Sequence, residues 1–314
     1  MTMPNFLIIG APKAGTTSVY QYLKEHPQIY LSSMKEPAFF AFEGMKLNYE
    51  NGPLAGGLGD RPPESRDWYQ ERVRVAITTL EEYEALFEGV MDEIAIGEAS
   101  PGYMYFSRSP ERIHHYIPQV KLIAILRQPA DRAYSSMVHR AQFGLDPEAD
   151  FSKILEKEDY NIDDEWWGFN HEIRTGFYYK QLKRYYDRFD RSQIKIYLYE
   201  DLQNHPLDLV KDAFQFLGVD ETFVPDVSRK YLVSAVPQNK LWHKLLTQPN
   251  PLKELLKIAL PENIRKPLGQ KLIKKNMGKP PKPPEVRQKL TEIYQEDIIQ
   301  LQEMIGRDLS HWLK

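Results

Sequence analysis

The chain has 314 residues, with 41 Lys and Arg against 44 Asp and Glu, a formal net charge of −3. That balance argues against general nucleic-acid binding, and the absence of cysteine excludes disulfides, thiolate metal sites and a cysteine nucleophile. A hydrophobic content of 42% supports a sizeable core, and the length suits one large α/β domain.

The apolar run Phe6–Ile9 ends in Gly10. A turn of small residues follows, Ala11-Pro12-Lys13-Ala14-Gly15-Thr16-Thr17-Ser18, and then a helical pattern from Val19. A strand, a small-residue loop and a helix N-terminus make a phosphate cradle, because backbone N–H groups converge and the helix dipole favours an anion. Lys13 adds a positive charge, and Thr16, Thr17 and Ser18 add hydroxyl donors. An NTPase loop places its lysine after the second glycine; here Lys13 precedes Gly15. The helix should stop near His26-Pro27, since proline disfavours helix in the residue before it. Ser32 to Phe40 then contains Lys35-Glu36-Pro37-Ala38-Phe39-Phe40, where Glu36 sits beside two phenylalanines. A carboxylate in a partly apolar pocket suits general-base work; the alternative is a loop glutamate paired with Lys35.

Asn51–Arg66 is rich in Gly and Pro and reads as a long loop. Glu98-Ala99-Ser100-Pro101 offers a second carboxylate, either in the active site or as a structural hydrogen-bond acceptor. Lys121–Leu126 is a short apolar run suited to a buried parallel strand. It leads into Arg127-Gln-Pro129, with Pro129 fitting a first helical turn and Ser135 eight residues beyond Arg127. Arg127 would leave the carboxyl end of its strand, where open α/β sheets bind ligands. Its planar fork suits phosphate. Arg132 reads as a salt-bridged brace of this helix, and His114-His115 as surface. The acidic stretch Asp146–Glu165 ends at Trp166-Trp167; Trp166, Trp167, Phe169, Tyr178 and Tyr179 either line an acceptor pocket or pack the core. Asn263–Lys289 holds nine Lys and Arg against one acid, a solvated face or a docking surface for an acidic carrier protein or an anionic membrane. Leu290, Ile293, Tyr294, Ile298, Leu301 and Ile305 mark an amphipathic helix expected to pack back on the domain.

The loop Gly10-x-x-Lys13-x-Gly15-Thr16-Thr17 resembles the 5′-phosphosulfate loop of sulfotransferases that use 3′-phosphoadenosine 5′-phosphosulfate (PAPS). Leu126-Arg127-x-Pro129-x-x-Arg132-x-x-Ser135 is similar to that family's 3′-phosphate site, and Glu36-Pro-Ala-Phe-Phe40 resembles the E-P-x-F-F element of the heparan-sulfate sulfotransferase group, whose glutamate is the proposed base. Gly176–Leu182, Tyr199-Glu-Asp-Leu202 and Pro237–Lys240 continue the likeness over most of the chain. The resemblance implies a P-loop-like parallel sheet flanked by helices, with a helical C-terminal extension over about 250–314 in a single domain 1–314. It implies PAPS as co-substrate, PAP as product, no metal, and a small-molecule, carbohydrate or carrier-bound acceptor. The nucleotide would be held by Lys13, Ala14, Gly15, Thr16, Thr17, Ser18, Arg127, Ser135 and Lys240, with Glu36 and Lys13 catalytic. The resemblance has two departures. The family's lysine in E-K-[ST]-P falls on Ala99, so that Lys13 carries the leaving-group charge alone or Lys35 or an arginine compensates; and Gln238 replaces a basic residue of the closing loop. A nucleotide kinase and a non-catalytic nucleotide-binding or carrier-docking module are the competing readings. No signal-peptide pattern precedes Phe6 and no apolar run approaches membrane-spanning length, so a cytoplasmic, bacterial-type enzyme is expected.

Overall fold

The computed structural model describes residues 2–45, 76–142, 150–156, 172–229, 235–239, 242, 272 and 275–314. Five parallel strands form the central sheet: β1 (Phe6–Gly10), β2 (Ile29–Leu31), β3 (Ala95–Ala99), β4 (Lys121–Leu126) and β5 (Ile194–Leu198), in the order β2-β3-β1-β4-β5. The apolar runs FLIIG and KLIAIL carry no polar alternation, because both faces of β1 and β4 are covered by other elements and buried. Phe6 lies beside Gly97 on one side and Lys121 on the other.

The order matters for function. From β1 the chain moves outward through β3's side of the sheet, then returns to β4 and β5 on the other side. The carboxyl ends of β1 and β4 therefore flank the point where the winding reverses, where open α/β sheets leave a crevice for a ligand. Two helices leave from there: α1 (Thr16–Lys24) after β1, and α5 (Pro129–Gln142) after β4. Between them in the chain come α2 (Phe39–Phe42), α3 (Leu80–Ala85) and α4 (Ser109–Tyr116). Helix α1 stops at Lys24, two residues before His26-Pro27, as the proline requires. Pro129 opens α5, and the Gln128 side-chain oxygen caps it by accepting the Asp131 N–H at 2.7 Å.

The C-terminal part wraps back onto this frame. After α6 (Tyr178–Tyr186), α7 (Tyr199–Asn204), α8 (Pro206–Leu217) and a two-residue ladder of β6 (Val236–Pro237) with β7 (Met277–Gly278), the chain ends in α9 (Pro284–Ile305). Leu290, Tyr294, Ile298 and Leu301 recur along one face of α9 and are buried against α5 and α6. The Tyr294 hydroxyl donates to the Ile173 carbonyl at 2.8 Å, and Asp297 accepts the Tyr179 N–H at 3.1 Å. Burial lifts the Asp297 carboxyl to about 6, despite three backbone N–H groups at the start of α6 that favour its charge. Of the basic segment, Lys282 and Arg287 both pair with Asp131 on α5, so these two cations tie α9 to the core. Arg265, Lys266, Lys271 and Lys274 lie outside the described residues.

Candidate functional site

The loop after β1 is built around Gly15. This residue caps α1 in the left-handed region, at φ 98°, and a Cβ there would meet Leu202 Cδ2 at 2.5 Å. Only glycine fits both constraints. The Ala11 N–H donates to the Ile125 carbonyl at 2.8 Å, which fixes the loop's start to β4. Lys13 also has positive φ, 67°, a conformation that costs a non-glycine residue about 1–3 kcal/mol and so requires outside support. Part of that support is visible: Arg127 Nη1 donates to the Lys13 carbonyl at 3.2 Å. The N–H groups of Gly15, Thr16 and Thr17 find no acceptor among the described residues, as expected at the open start of a helix. Ala14, Thr16 and Ser18 are buried, whereas Lys13, Gly15 and Thr17 are half-buried, so the loop presents alternate residues outward.

Arg127 leaves the end of β4, and its guanidinium lies over the Tyr199 ring at 4.5 Å from the centroid. Its own carbonyl accepts the Tyr178 hydroxyl at 2.9 Å. Tyr178 is fully buried, and burial pushes its phenol up to about 12. It is a buttress of Arg127 and not part of an exposed acceptor wall. Ser135 sits half-buried on α5, with no hydrogen bond to the loop or to Arg127. Arg132 is 1% exposed, and among the described residues no carboxylate forms the expected salt bridge with it and its Nε and one terminal nitrogen have no hydrogen-bond partner. The Arg132 charge lies close enough to the neutral Tyr178 phenol to favour its ionised form, against the larger effect of burial. Lys240, Trp166, Trp167 and Phe169 lie outside the described residues, as do 46–75, 143–149 and 157–171.

A third segment, Ser32–Ala38, lies against the end of β3. The Glu36 N–H donates to the Ala99 carbonyl at 3.0 Å, and the Ala38 N–H donates to Ser100 Oγ at 3.1 Å. Both residues have positive φ, 64° and 57°, so these bonds hold a backbone that would otherwise relax. The Glu36 side chain is 27% exposed and bonds Lys35 Nζ at 3.0 Å. Lys35 Nζ also donates to Thr17 Oγ1 at 2.9 Å. The two phenylalanines that follow Glu36 pack against the tyrosines that surround Glu98. Phe39 and Phe40 are fully buried; Phe39 stacks on Tyr83 at 4.6 Å and Phe40 meets Tyr103 edge-on at 5.5 Å. The Tyr83 hydroxyl donates to Glu98 at 3.3 Å, and those of Tyr103 and Ser100 favour its charge. Desolvation outweighs all three and lifts the fully buried carboxyl to about 7. Glu98 thus sits beneath the Glu36 segment, linked to it through Ser100.

Sequence reasoning missed two supports. Arg112 donates to the Phe40 carbonyl at 3.2 Å, the Ala41 carbonyl at 2.9 Å and the Glu43 carbonyl at 2.9 Å, gripping the end of α2. Ser100, read only as part of a motif, is the acceptor that fixes Ala38. Neither role leaves a local signal, since each partner lies more than sixty residues away in sequence. Among the described residues no group of three or more His, Asp or Glu has metal-binding geometry, and no helix is long and apolar enough to cross a membrane.

A glycine-capped loop with open N–H groups, an arginine and a half-exposed carboxylate thus stand at the carboxyl edge of one parallel sheet. The sulfotransferase domain model matches residues 3–301, and the chain belongs to that family. It is 24% identical over 318 residues to mouse bifunctional heparan sulfate N-deacetylase/N-sulfotransferase 4, covering 99% of this chain and 31% of that protein. It is 26% identical over 252 residues to human carbohydrate sulfotransferase 15, covering 69% of this chain and 44% of that one. The chain therefore spans less than half the length of these relatives. Among solved structures, a sulfotransferase from Alicyclobacillus acidocaldarius aligns over 100% of both chains with a TM-score of 0.70 and 28% identity.

Proposed function

We propose that this sulfotransferase moves the sulfuryl group of PAPS to a hydroxyl or amine of an acceptor, with carbohydrates the first class to try because the relatives named above are heparan sulfate and carbohydrate sulfotransferases. The observation that carries the reading is the joining of Lys13 and Arg127 by one hydrogen bond at the β1/β4 reversal. A phosphate-binding loop and a separate arginine fork suit a ligand with two phosphate groups, one at the loop and one at the strand end. The donor set fits such an anion: three N–H groups without acceptors among the described residues, the Thr17 hydroxyl and the Lys13 ammonium.

In this reading the loop N–H groups of Gly15, Thr16 and Thr17 hold the 5′-phosphate. Lys13 stabilises charge that builds on the leaving phosphate oxygen as the sulfuryl group departs. Arg127, steadied by Tyr199 and Tyr178, binds the 3′-phosphate, with Ser135 as its second contact and Lys240 closing over that side. Fixing the far end of the nucleotide sets the sulfur in line for attack. Glu36 accepts the acceptor's proton. A cytoplasmic location belongs to the same reading.

Calorimetry and turnover test it together. PAP should bind more tightly than AMP, since losing a charge-assisted phosphate contact costs about 1.5–3 kcal/mol, and PAPS should be consumed with a carbohydrate acceptor panel. Equal affinity for PAP and AMP overturns the assignment. Magnesium-dependent ATP hydrolysis would point to the kinase reading instead, and PAP binding without any turnover to a binding module.

A further inference from the structure

One ammonium group connects the two halves of the site. Lys35 Nζ lies 2.9 Å from Thr17 Oγ1, in the first turn of α1, and 3.0 Å from Glu36 Oε1. In the PAPS reading above, Thr17 belongs to the turn assigned to the donor and Glu36 to the segment assigned to the acceptor, and the sulfuryl group passes between them. A lysine serving only to neutralise Glu36 has no need of Thr17. Here the side chain is drawn across to the helix start and kept half-buried, 23% exposed, where an ion pair is less screened than at an open surface.

The backbone explains how the lysine comes to be there. Glu36 has positive φ, and its N–H is bound to the Ala99 carbonyl. Position 99 is buried and holds alanine, so its side chain brings no charge to the site. Lys35 is the residue immediately before the one so fixed, and its ammonium reaches Thr17 and Glu36. Between the compensations left open for Ala99, the geometry favours Lys35 over Arg127, whose guanidinium is engaged by the Lys13 carbonyl and the Tyr199 ring.

We propose that Lys35 is a catalytic residue of sulfuryl transfer, its ammonium stabilising negative charge on the oxygens of the transferring group. The inference rests on the PAPS reading above. In the step, a lone pair of the acceptor oxygen or nitrogen forms the new bond to sulfur. The bond from sulfur to the 5′-phosphate oxygen breaks, and its electron pair leaves with PAP. The acceptor's proton passes to Glu36, and Lys35 keeps its protons throughout. Lys13 and Lys35 then divide the charge, the first at the leaving oxygen and the second at the sulfuryl oxygens.

The test measures kcat for PAPS turnover and PAP affinity by calorimetry in the full chain. Lys35→Met should lose about a hundredfold in kcat, the usual effect of removing one transition-state donor, while PAP affinity stays near the parent's. Lys35→Arg should keep at least about tenfold more kcat than Lys35→Met, because it retains the charge but not the point geometry. If Lys35→Met fails to fold, Lys35→Gln, which keeps a donor for Thr17 without the charge, carries the same expectation. Parental kcat in the uncharged variant overturns the proposal, as does equal loss in the Met and Arg variants or a loss matched by weaker PAP binding. A parent that consumes no PAPS sinks the sulfotransfer reading itself, an outcome distinct from a working parent whose Lys35 variants work equally well.

Discussion

Arg127 reaches across the crevice between β1 and β4 and donates a hydrogen bond to the Lys13 carbonyl at 3.2 Å. The strand-end arginine thus braces the residue of positive φ in the loop after β1, and the two phosphate sites proposed for them would be mechanically coupled. Loss of the Arg127 side chain removes that brace, whereas loss of the Lys13 side chain leaves the accepting carbonyl in place.

Arg127→Lys keeps the charge but loses the planar fork and the stacking on Tyr199. PAP affinity should fall by about 1.5–3 kcal/mol, with a much smaller effect on AMP, which has no 3′-phosphate. Calorimetric titration of both nucleotides checks this. A PAP-to-AMP ratio equal to the parent's would remove Arg127 from the 3′-phosphate site.

Lys13→Ala deletes an ammonium and leaves the loop's N–H groups in place. It should depress kcat by about a hundredfold or more while weakening PAP binding less. Steady-state kinetics beside the same titration separate the two effects. Normal kcat in this variant would relegate Lys13 to the loop surface.

Glu36→Gln preserves shape and removes proton-accepting power. It should bind PAP like the parent and lose about a hundredfold in kcat. The parent's rate should decline toward acid pH as the carboxylate protonates, and the variant should lack that decline. Near-parental turnover with an unchanged pH profile would make Glu36 a structural loop residue.

Glu98 gives a stability prediction with a definite sign. Its carboxyl is lifted from 4.5 to about 7 in the folded chain, chiefly by desolvation. The folded state therefore holds the proton more tightly than the unfolded state. The group's contribution to stability is complete below pH 4.5 and is lost as pH rises through about 7. That loss is on the order of 3 kcal/mol above pH 8. Glu98→Gln, which cannot ionise, should gain stability relative to the parent between pH 5 and pH 8 in denaturant melts. A difference between the two proteins that does not change with pH would contradict the assignment.

Much of the frame was legible from local pattern. The unbroken apolar runs Phe6–Ile9 and Lys121–Leu126 are β1 and β4, Pro129 opens α5, and the spacing of Leu290, Tyr294, Ile298 and Leu301 is the buried face of α9. These signals are short-range, carried by side-chain period and proline stereochemistry. What the sequence hid is what long-range contact decides. Glu36 was expected in an aromatic pocket because Phe39 and Phe40 follow it, yet the positive φ at Glu36 and Ala38 accompanies a parting of ways: the rings enter the core and the carboxylate stays half-exposed beside Lys35. Arg132 reads from sequence as a salt-bridged brace of its helix, but it is turned inward, and among the described residues no acid pairs with it. The bond from Lys35 to Thr17 has no sequence signature, because it depends on where β3 sets the Glu36 segment.

The strand order has a consequence for how the molecule comes into being. Phe6 pairs with Gly97 and Lys121, so the strand that carries the Lys13 loop has no neighbours within its own stretch of chain. During synthesis β1 emerges first and must wait for β3 and β4 before its hydrogen bonds close. Such non-local pairing is slow, because loop-closure entropy must be overcome before any contact rewards it. The loop conformation at Lys13 depends on Ile125 and Arg127 at the end of β4. Nucleotide-binding competence should therefore appear late and abruptly in refolding, together with the central strands and not with the helix that follows the loop.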